Sequence, residues 1–271
     1  MKWGLVCKPK VTKSISLAKD VFKLINENGE VFLEKRIADE IETKGYSFKE
    51  INEKSDIVIT IGGDGTILRT LRYVEKPIFA INSGGMGFLA EVESKYARSA
   101  IKQLMEGDYN VEERDKLKIM LDGKRLPDAA NEVTVQSSKV AKIMYLKVFI
   151  EDELIDKIGA DGIIVSTPTG STSYSLSVGG PLVDPKVKAM IIAPIAPFKL
   201  SARPWIVPHY KKVEIKVLPS TKDDTKLVID GHYTETVTPE NEIIVTGSNK
   251  KARFVRFGET FYQMVRLKLV R

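Results

Sequence analysis

Apolar residues in the first hundred positions follow two alternating rhythms. Short continuous runs, "WGLVC" (3–7), "VFLEK" (31–35), "DIVITI" (56–61) and "PIFAIN" (77–82), alternate with stretches whose apolar residues return every three or four positions. The runs predict buried strands and the stretches predict helices. In "SISLAKDVFKLINENG", Leu17, Val21, Leu24 and Ile25 share one helical face before Gly29 ends it. "RIADEIETKG" (36–45), "TILRTLRYV" (66–74) and "SKYARSAIKQLMEG" (94–107) repeat the helical period, with Gly or Asn at the changes. Alternating βα units imply a parallel sheet wrapped by helices.

Near Val111 the helical period fades. "KLKIMLDGKRLPDAANEVTVQ" reads as strand-like runs around Asp122-Gly123, and "KIMYLKVFIEDELIDKIGADGIIVS" adds further strands with acidic turns. "WIVP", "VEIKVLP", "KLVIDGHYTETV", "EIIVTG" and "ARFVRF" extend the β-rich pattern almost to the end, and "ETFYQMVRLKLVR" mixes apolar and basic residues again. The expected organisation is an α/β domain over 1–112, a mostly β domain over 113–250, and a tail over 251–271 returning to the first domain. Two domains also suit 271 residues at roughly 150 per domain.

Composition narrows the classes. Hydrophobic residues at 43% and charged residues at 29% describe a globular protein with a sizeable core, which argues against extensive disorder. The net charge of +6 suits an anionic ligand, but it is spread along the chain, so nucleic acid is not implied. Cys7 is the only cysteine and His209 and His232 the only histidines, which excludes an internal disulfide and a His/Cys zinc cage. The apolar stretch in "MKWGLVCKPK" is too short for a signal peptide, and no segment approaches the roughly 20 apolar residues of a membrane span. The expectation is a soluble cytoplasmic protein that touches no membrane.

Three segments carry candidate chemistry. In "DIVITIGGDGTILRTL" (56–71) a strand ends at Gly62, Thr66 would begin a helix, and Asp64 sits at the strand's carboxyl end, the edge where open α/β sheets bind ligands. The same residues also suit a tight βα turn. No Lys-Ser/Thr pair follows, so a Walker-type phosphate grip is absent. "INSGGMGFLAE" (81–91) is a second glycine loop, whose Phe88 would either stack on a base or pack in the core. "ADGIIVSTPTGSTSYSLSVGGPLVDP" (160–185) concentrates hydroxyls and glycines; Ser171 or Thr172 would cap a short helix ended by Gly179, suiting a polar ligand. "NEVTV" (131–135) is ordinary surface chemistry alone, and Asp230-Gly231 is a hairpin signal. A G-x-S-x-G elbow is absent.

In their order and spacing, "GGDGT", "NSGGMGFL", "NE" and "DGIIVSTPTGSTSYSLSVGGP" resemble the NAD kinase family, from Asp56 to about His232. The resemblance implies an α/β N-terminal domain, a β-sandwich-like C-terminal domain and a site in the cleft between them. It implies transfer of a phosphoryl group from ATP, or from polyphosphate in some relatives, to the adenosine-ribose 2′-hydroxyl of NAD, giving NADP, with a divalent cation such as Mg²⁺. On the family pattern Asp64 is the general base, beside Gly65, and Gly62, Gly63, Thr66 and Arg69 form the phosphate-donor loop. Asn131 and Glu132 would hold the ribose, Asp161 the nicotinamide end, and Thr172, Ser173, Tyr174, Ser177 and Ala196 the NAD, with Phe88 near the adenine. Lys142 falls where the family often has a basic residue. Gly159 stands where many relatives carry Arg, and His232 replaces a frequent Gln. The resemblance further implies a homo-oligomer, dimer or tetramer, in which Tyr174 reaches a neighbour's site.

Two other classes share part of this pattern. A lipid kinase shares "GGDGT" but needs an apolar groove or membrane-facing patch. A non-catalytic NAD(P)-binding sensor would keep the third motif and lose the base, against which Asp64 stands.

Overall fold

The computed structural model describes residues 1–85, 87–139, 142–219, 224–258 and 261–269. The chain divides into two compact units, Met1–Glu113 with Ala252–Arg271, and Arg114–Lys251.

The first unit begins β1 (Lys2–Cys7), α1 (Thr12–Asn26), β2 (Glu30–Glu34), α2 (Lys35–Ile41), β3 (Gly45–Tyr46), α3 (Phe48–Lys54) and β4 (Ile57–Gly62). It continues through α4 (Asp64–Leu71), β5 (Ile78–Asn82), β6 (Val92–Glu93) and α5 (Ala97–Glu106). Its strands pair in parallel in the order β5-β4-β1-β2-β3, with β6 beside β5. The order reverses between β1 and β4, so the carboxyl ends of these two strands border the crevice in which doubly wound sheets bind ligands. β4 is buried at all six positions, which is why it reads as an uninterrupted apolar run. The buried face of α1 is Ser14, Ala18, Val21 and Ile25, while Leu17 and Leu24 lie at its margin. Ser14 is inside because its hydroxyl bonds that of Ser83 at 2.7 Å. Periodicity does not reveal α3, but a local signal does. Ser47 and Glu50 form a reciprocal capping box, the S-x-x-E pattern of a helix start.

The second unit follows β7 (Asn110–Leu121), whose first residues precede it. It contains β8 (Lys124–Arg125), β9 (Glu132–Ser137), β10 (Met144–Ile150), β11 (Glu153–Ala160), β12 (Gly162–Ser166), α6 (Tyr174–Ser177) and β13 (Ala189–Ile195). It continues through β14 (Trp205–Pro208), β15 (Val213–Val217), β16 (Thr225–Ile229), β17 (Tyr233–Val237) and most of β18 (Ile243–Arg256); α7 (Phe261–Lys268) then belongs to the first unit. One antiparallel sheet runs β14-β13-β12-β9-β16-β17 and another β11-β10-β15-β18. Val133, Val135, Ile163 and Ile192 of the first share a core with Leu146, Val148, Ile215 and Val245 of the second. This is a β-sandwich: strands of both sheets turn alternate apolar residues into that core, as Val133 and Val135 do on one and Leu146 and Val148 on the other. An α/β N-terminal unit and an antiparallel β-rich unit are the fold class expected from the sequence. "EIIVTG" and "ARFVRF", which read as separate runs, form one strand, β18.

Candidate active site

In the first unit the glycine motif turns from β4 into α4. The helix starts at Asp64, two residues before Thr66, with Gly63 extended at its N-cap. Thr66 is buried, and a Cβ at Gly62 would overlap its side chain, so Gly62 serves close packing; around Gly63 the corresponding space is open. Gly65 is exposed. Asp64 does not cap its own helix. Its carboxylate reaches the second glycine loop, where Oδ2 accepts from the Phe88 N–H at 2.8 Å and Oδ1 from the Leu89 N–H at 3.2 Å. Each oxygen keeps a further lone-pair site, so the anchored carboxylate still accepts a hydrogen bond from a ligand. A Cβ on Gly87 would lie 2.6 Å from Asp64 Oδ1, so the loop needs glycine there.

The strap 88–91 is held from its other side as well. Arg256 Nη1 donates to Leu89 O at 3.2 Å and to Glu91 at 2.8 Å, and its Nε donates to Glu112 at 2.9 Å. The Phe257 N–H donates to Glu91 at 2.6 Å. Lys268 of α7 donates to Gly87 O and lies over the Phe88 ring, 5.4 Å from its centroid. Asn82, Gly85, Gly87, Glu91 and Lys268 border a cavity of about 560 Å³. Arg256, Glu91 and Lys268 escaped the sequence reading because nothing local links the last residues of the chain to the loop at 82–91. Arg69 is placed elsewhere: its guanidinium donates to Cys7 O at 3.1 Å, stands 4.0 Å from Glu34 and covers Phe48.

In the second unit Asn131 and Glu132 occupy the turn into β9, only 5% and 8% exposed. Asn131 Oδ1 and Glu132 Oε2 are buried without a hydrogen-bond partner, as is Ser175 Oγ in α6. Unpaired buried acceptors are costly unless a ligand completes them. Burial, reinforced by the charge of Asp230 and opposed by a hydrogen bond from Ser173, pushes the Glu132 carboxyl up to about 8. Ser173 thus stands with Glu132. Ser173, rather than Ser171 or Thr172, occupies the N-cap position of α6, and its side chain makes no capping bond. Ser171 is instead buried, exchanging hydrogen bonds with Val183 at 3.1 and 3.2 Å. Thr172 Oγ1 donates to Thr169 O at 3.3 Å, and Tyr174 and Ser177 are exposed.

Asp161 is half-buried between β11 and β12, its N–H donating to Ile195 O at 3.0 Å. Ala196 follows with a left-handed backbone, φ 44°, a conformation uncommon for a residue with a Cβ. Gly159 lies on β11, where a Cβ would crowd Tyr145 and Ile143 at 3.1 and 3.2 Å. Lys142 and His232 are exposed. Asp230, read from sequence as a hairpin residue, lies with its carboxylate under the Ala130–Glu132 turn; only the folded sheet brings positions 98 to 100 residues apart together. Among the described residues there is no group of three His, Cys, Asp or Glu able to hold a metal ion, and no helix long and apolar enough to cross a membrane.

Comparison with known proteins agrees with both halves. The ATP-NAD kinase N-terminal domain family matches residues 3–109, and the ATP-NAD kinase C-terminal domain family matches residues 130–257. An NAD kinase of Methanothermobacter thermautotrophicus is 39% identical over 275 residues, covering 100% of this chain and 96% of the relative. One from Thermococcus kodakarensis is 39% identical over 277 residues, covering 99% of each. Yeast NADH kinase complexed with NADH superposes with a TM-score of 0.91 at 25% identity, over 100% of this chain and 87% of that one. An NAD kinase from Archaeoglobus fulgidus in complex with ATP gives 0.80 at 28%, over 98% and 99%. The chain, matched by both domain families and by full-length relatives, belongs to the NAD kinase family.

Proposed function

We propose that this NAD kinase uses Asp64 as the general base that takes the proton from the adenosine-ribose 2′-hydroxyl of NAD. The 2′-oxygen attacks the γ-phosphorus of ATP, the bond from that phosphorus to the β–γ bridging oxygen breaks, ADP leaves and the hydroxyl proton passes to the carboxylate. Phosphoryl transfer depends on position more than on covalent chemistry, and the observation that carries the assignment is the fixed aim of Asp64. Two backbone N–H groups hold its oxygens without using up their acceptor capacity. Gly63, Gly84 and Gly85 leave space for phosphate oxygens to approach the loop backbone.

Asn131 Oδ1 and Glu132 Oε2, the unpaired acceptors, suit two sugar hydroxyls as donors. Asp161, Thr172, Ser173, Tyr174 and Ser177 belong to the same NAD-binding reading, with Ala196 supplying backbone. Lys142, Gly159 and His232 are its outer members, and Phe88 the aromatic beside the adenine. Gly62, Gly63 and Thr66 shape the donor loop, with Gly65 beside Asp64 on the NAD side; Arg69 of α4 ties that helix to β1 through Cys7 O.

The described residues offer no cage for a bare divalent cation. Mg²⁺ generally keeps several waters and binds largely through substrate phosphates, so a cation carried on ATP needs no such cage. When bound it would neutralise phosphate charge. The enzyme acts in the cytoplasm as a homo-oligomer: Phe198 and Leu200 are 82% and 92% exposed, and Trp205 and Ile206 of the edge strand β14 are also exposed, apolar side chains that a second copy would cover.

Incubation with γ-labelled ATP and either NAD or a lipid extract tests the reaction. Label in NADP is the expected result; label in lipid, or in neither product, overturns it. Replacing ATP by polyphosphate, and NAD by NADH, defines the donor and acceptor range.

A further inference from the structure

We infer that Asp230 positions Asn131 and Glu132 for the sugar hydroxyls of NAD, holding their backbone from beneath while Thr167 and Ser166 hold it from the side. The inference rests on the reading of Asn131 and Glu132 as NAD ligands. Asp230 Oδ2 accepts the Ala130 N–H at 2.8 Å, and Oδ1 accepts the N–H groups of Asn131 and Glu132 at 2.8 and 3.1 Å. The carbonyls of the same three residues are engaged too. Ala130 O accepts from Thr167 Oγ1 at 2.7 Å, and Asn131 O from Ser166 Oγ at 3.1 Å and the Thr167 N–H at 2.8 Å. Glu132 O accepts from the Asp230 N–H at 3.0 Å. Every backbone polar group of the turn is therefore satisfied within the protein, while the acceptors at the ends of its two side chains are buried and unpaired.

A hairpin alone does not require this arrangement. Asp230 and Gly231 have φ of 48° and 67°, with the His232 N–H donating to Ile229 O at 3.0 Å, a tight turn between the paired residues Ile229 and Tyr233 that Asn-Gly would make equally well. Asn in this place would offer one acceptor oxygen and an NH₂ to three N–H donors. A carboxylate offers two acceptor oxygens and no donor, which fits all three. The role also explains how a fully bonded backbone coexists with unbonded side chains: three charge-assisted bonds hold the turn still before ligand arrives, so less ordering accompanies binding.

The test is Asp230→Asn in the full chain, with Asn131→Ala beside it, read by steady-state kinetics, NAD calorimetry and thermal melting. For Asp230→Asn the NAD KM and Kd are expected to rise about tenfold or more, since charged hydrogen bonds are being lost, while the ATP KM and the kcat at saturating NAD change by only a few-fold. A residue that merely supports the fold would lower the melting temperature and the active fraction and leave the NAD KM alone. That outcome overturns the inference. If Asn131→Ala raises the NAD KM and folded Asp230→Asn does not, positioning fails while the NAD site stands; if neither does, the NAD reading fails first. Should Asp230→Asn not fold, Thr167→Val decides, because it keeps the shape and removes the hydroxyl that donates to Ala130 O and accepts the Gly170 N–H. An NAD KM raised several-fold supports the inference, and an unchanged one overturns it.

Discussion

The Asp64 carboxylate binds the Phe88 N–H at 2.8 Å across 24 residues of chain, joining the two glycine loops of the first unit. The same group is thus anchor and proposed base. Asp64→Asn retains size and one acceptor oxygen but cannot take the proton. A general base contributes about 10²–10⁴-fold, so kcat should fall at least about a hundredfold. NAD affinity by calorimetry should change little, while the melting temperature falls, because the amide turns its NH₂ toward one of the two strap N–H groups. A variant within a few-fold of the parent kcat would refute the assignment. The pH profile of kcat gives a second check, because the acidic limb seen with a carboxylate base should be absent from the variant.

Gly87→Ala probes the anchor without replacing the base. Its Cβ would stand 2.6 Å from Asp64 Oδ1, so either the carboxylate or the strap must shift. The expected outcome is a kcat reduced about tenfold or more, because small misplacements of a reacting group are expensive, with the Asp64 side chain chemically intact. Single-turnover rates at saturating NAD and ATP measure it. An unchanged rate would show that the Asp64–strap geometry does not govern the reaction.

Glu132 makes stability depend on pH. Its folded value of about 8 lies above the ordinary 4.5, mainly through burial, so between these limits the unfolded state ionises first. The contribution favouring the fold is fully present below about pH 4.5 and is lost as pH rises through 8, at up to about 1.4 kcal/mol per pH unit. Glu132→Gln removes this dependence. Relative to the parent it should be more stable at pH 8.5 than at pH 5, as read by denaturant midpoints. Parallel pH curves for the two proteins would contradict a raised Glu132.

The apolar surface of the second unit predicts assembly. Leu200→Glu combined with Ile206→Glu places charge on residues 92% and 55% exposed, and so should leave the fold intact. Light scattering should show an oligomer for the parent and a smaller species for the double variant. A parent that stays monomeric and fully active at all concentrations would sink the homo-oligomer reading.

Local patterns reached the main elements because each depends on neighbours in sequence. β4 reads as a strand because both its faces are covered, and α5 as a helix because Ala97, Ala100, Ile101 and Leu104 return at helical spacing before Gly107, whose φ of 80° ends it. The helix α3 was equally local, in the Ser47–Glu50 box, but is too short to register as a period. β13, buried at all seven positions, carries no alternation to distinguish a strand from a buried helix.

The sequence by itself determined the alternation of strand and helix in the first unit, the β-rich character of the second, and motifs specific enough to indicate the family. Tertiary structure alone decided what those motifs touch. Asp64 meets the 88–89 strap, Arg256 holds it from near the far end of the chain, and Asp230 underlies a turn about a hundred residues earlier. The physical reason is that periodicity and turn chemistry are short-range, whereas a carboxylate's partners are whichever N–H groups the sheet order brings within 3 Å or so. Loop closure of that span costs free energy only logarithmically in its length, so the chain itself carries little trace of which distant residues will meet.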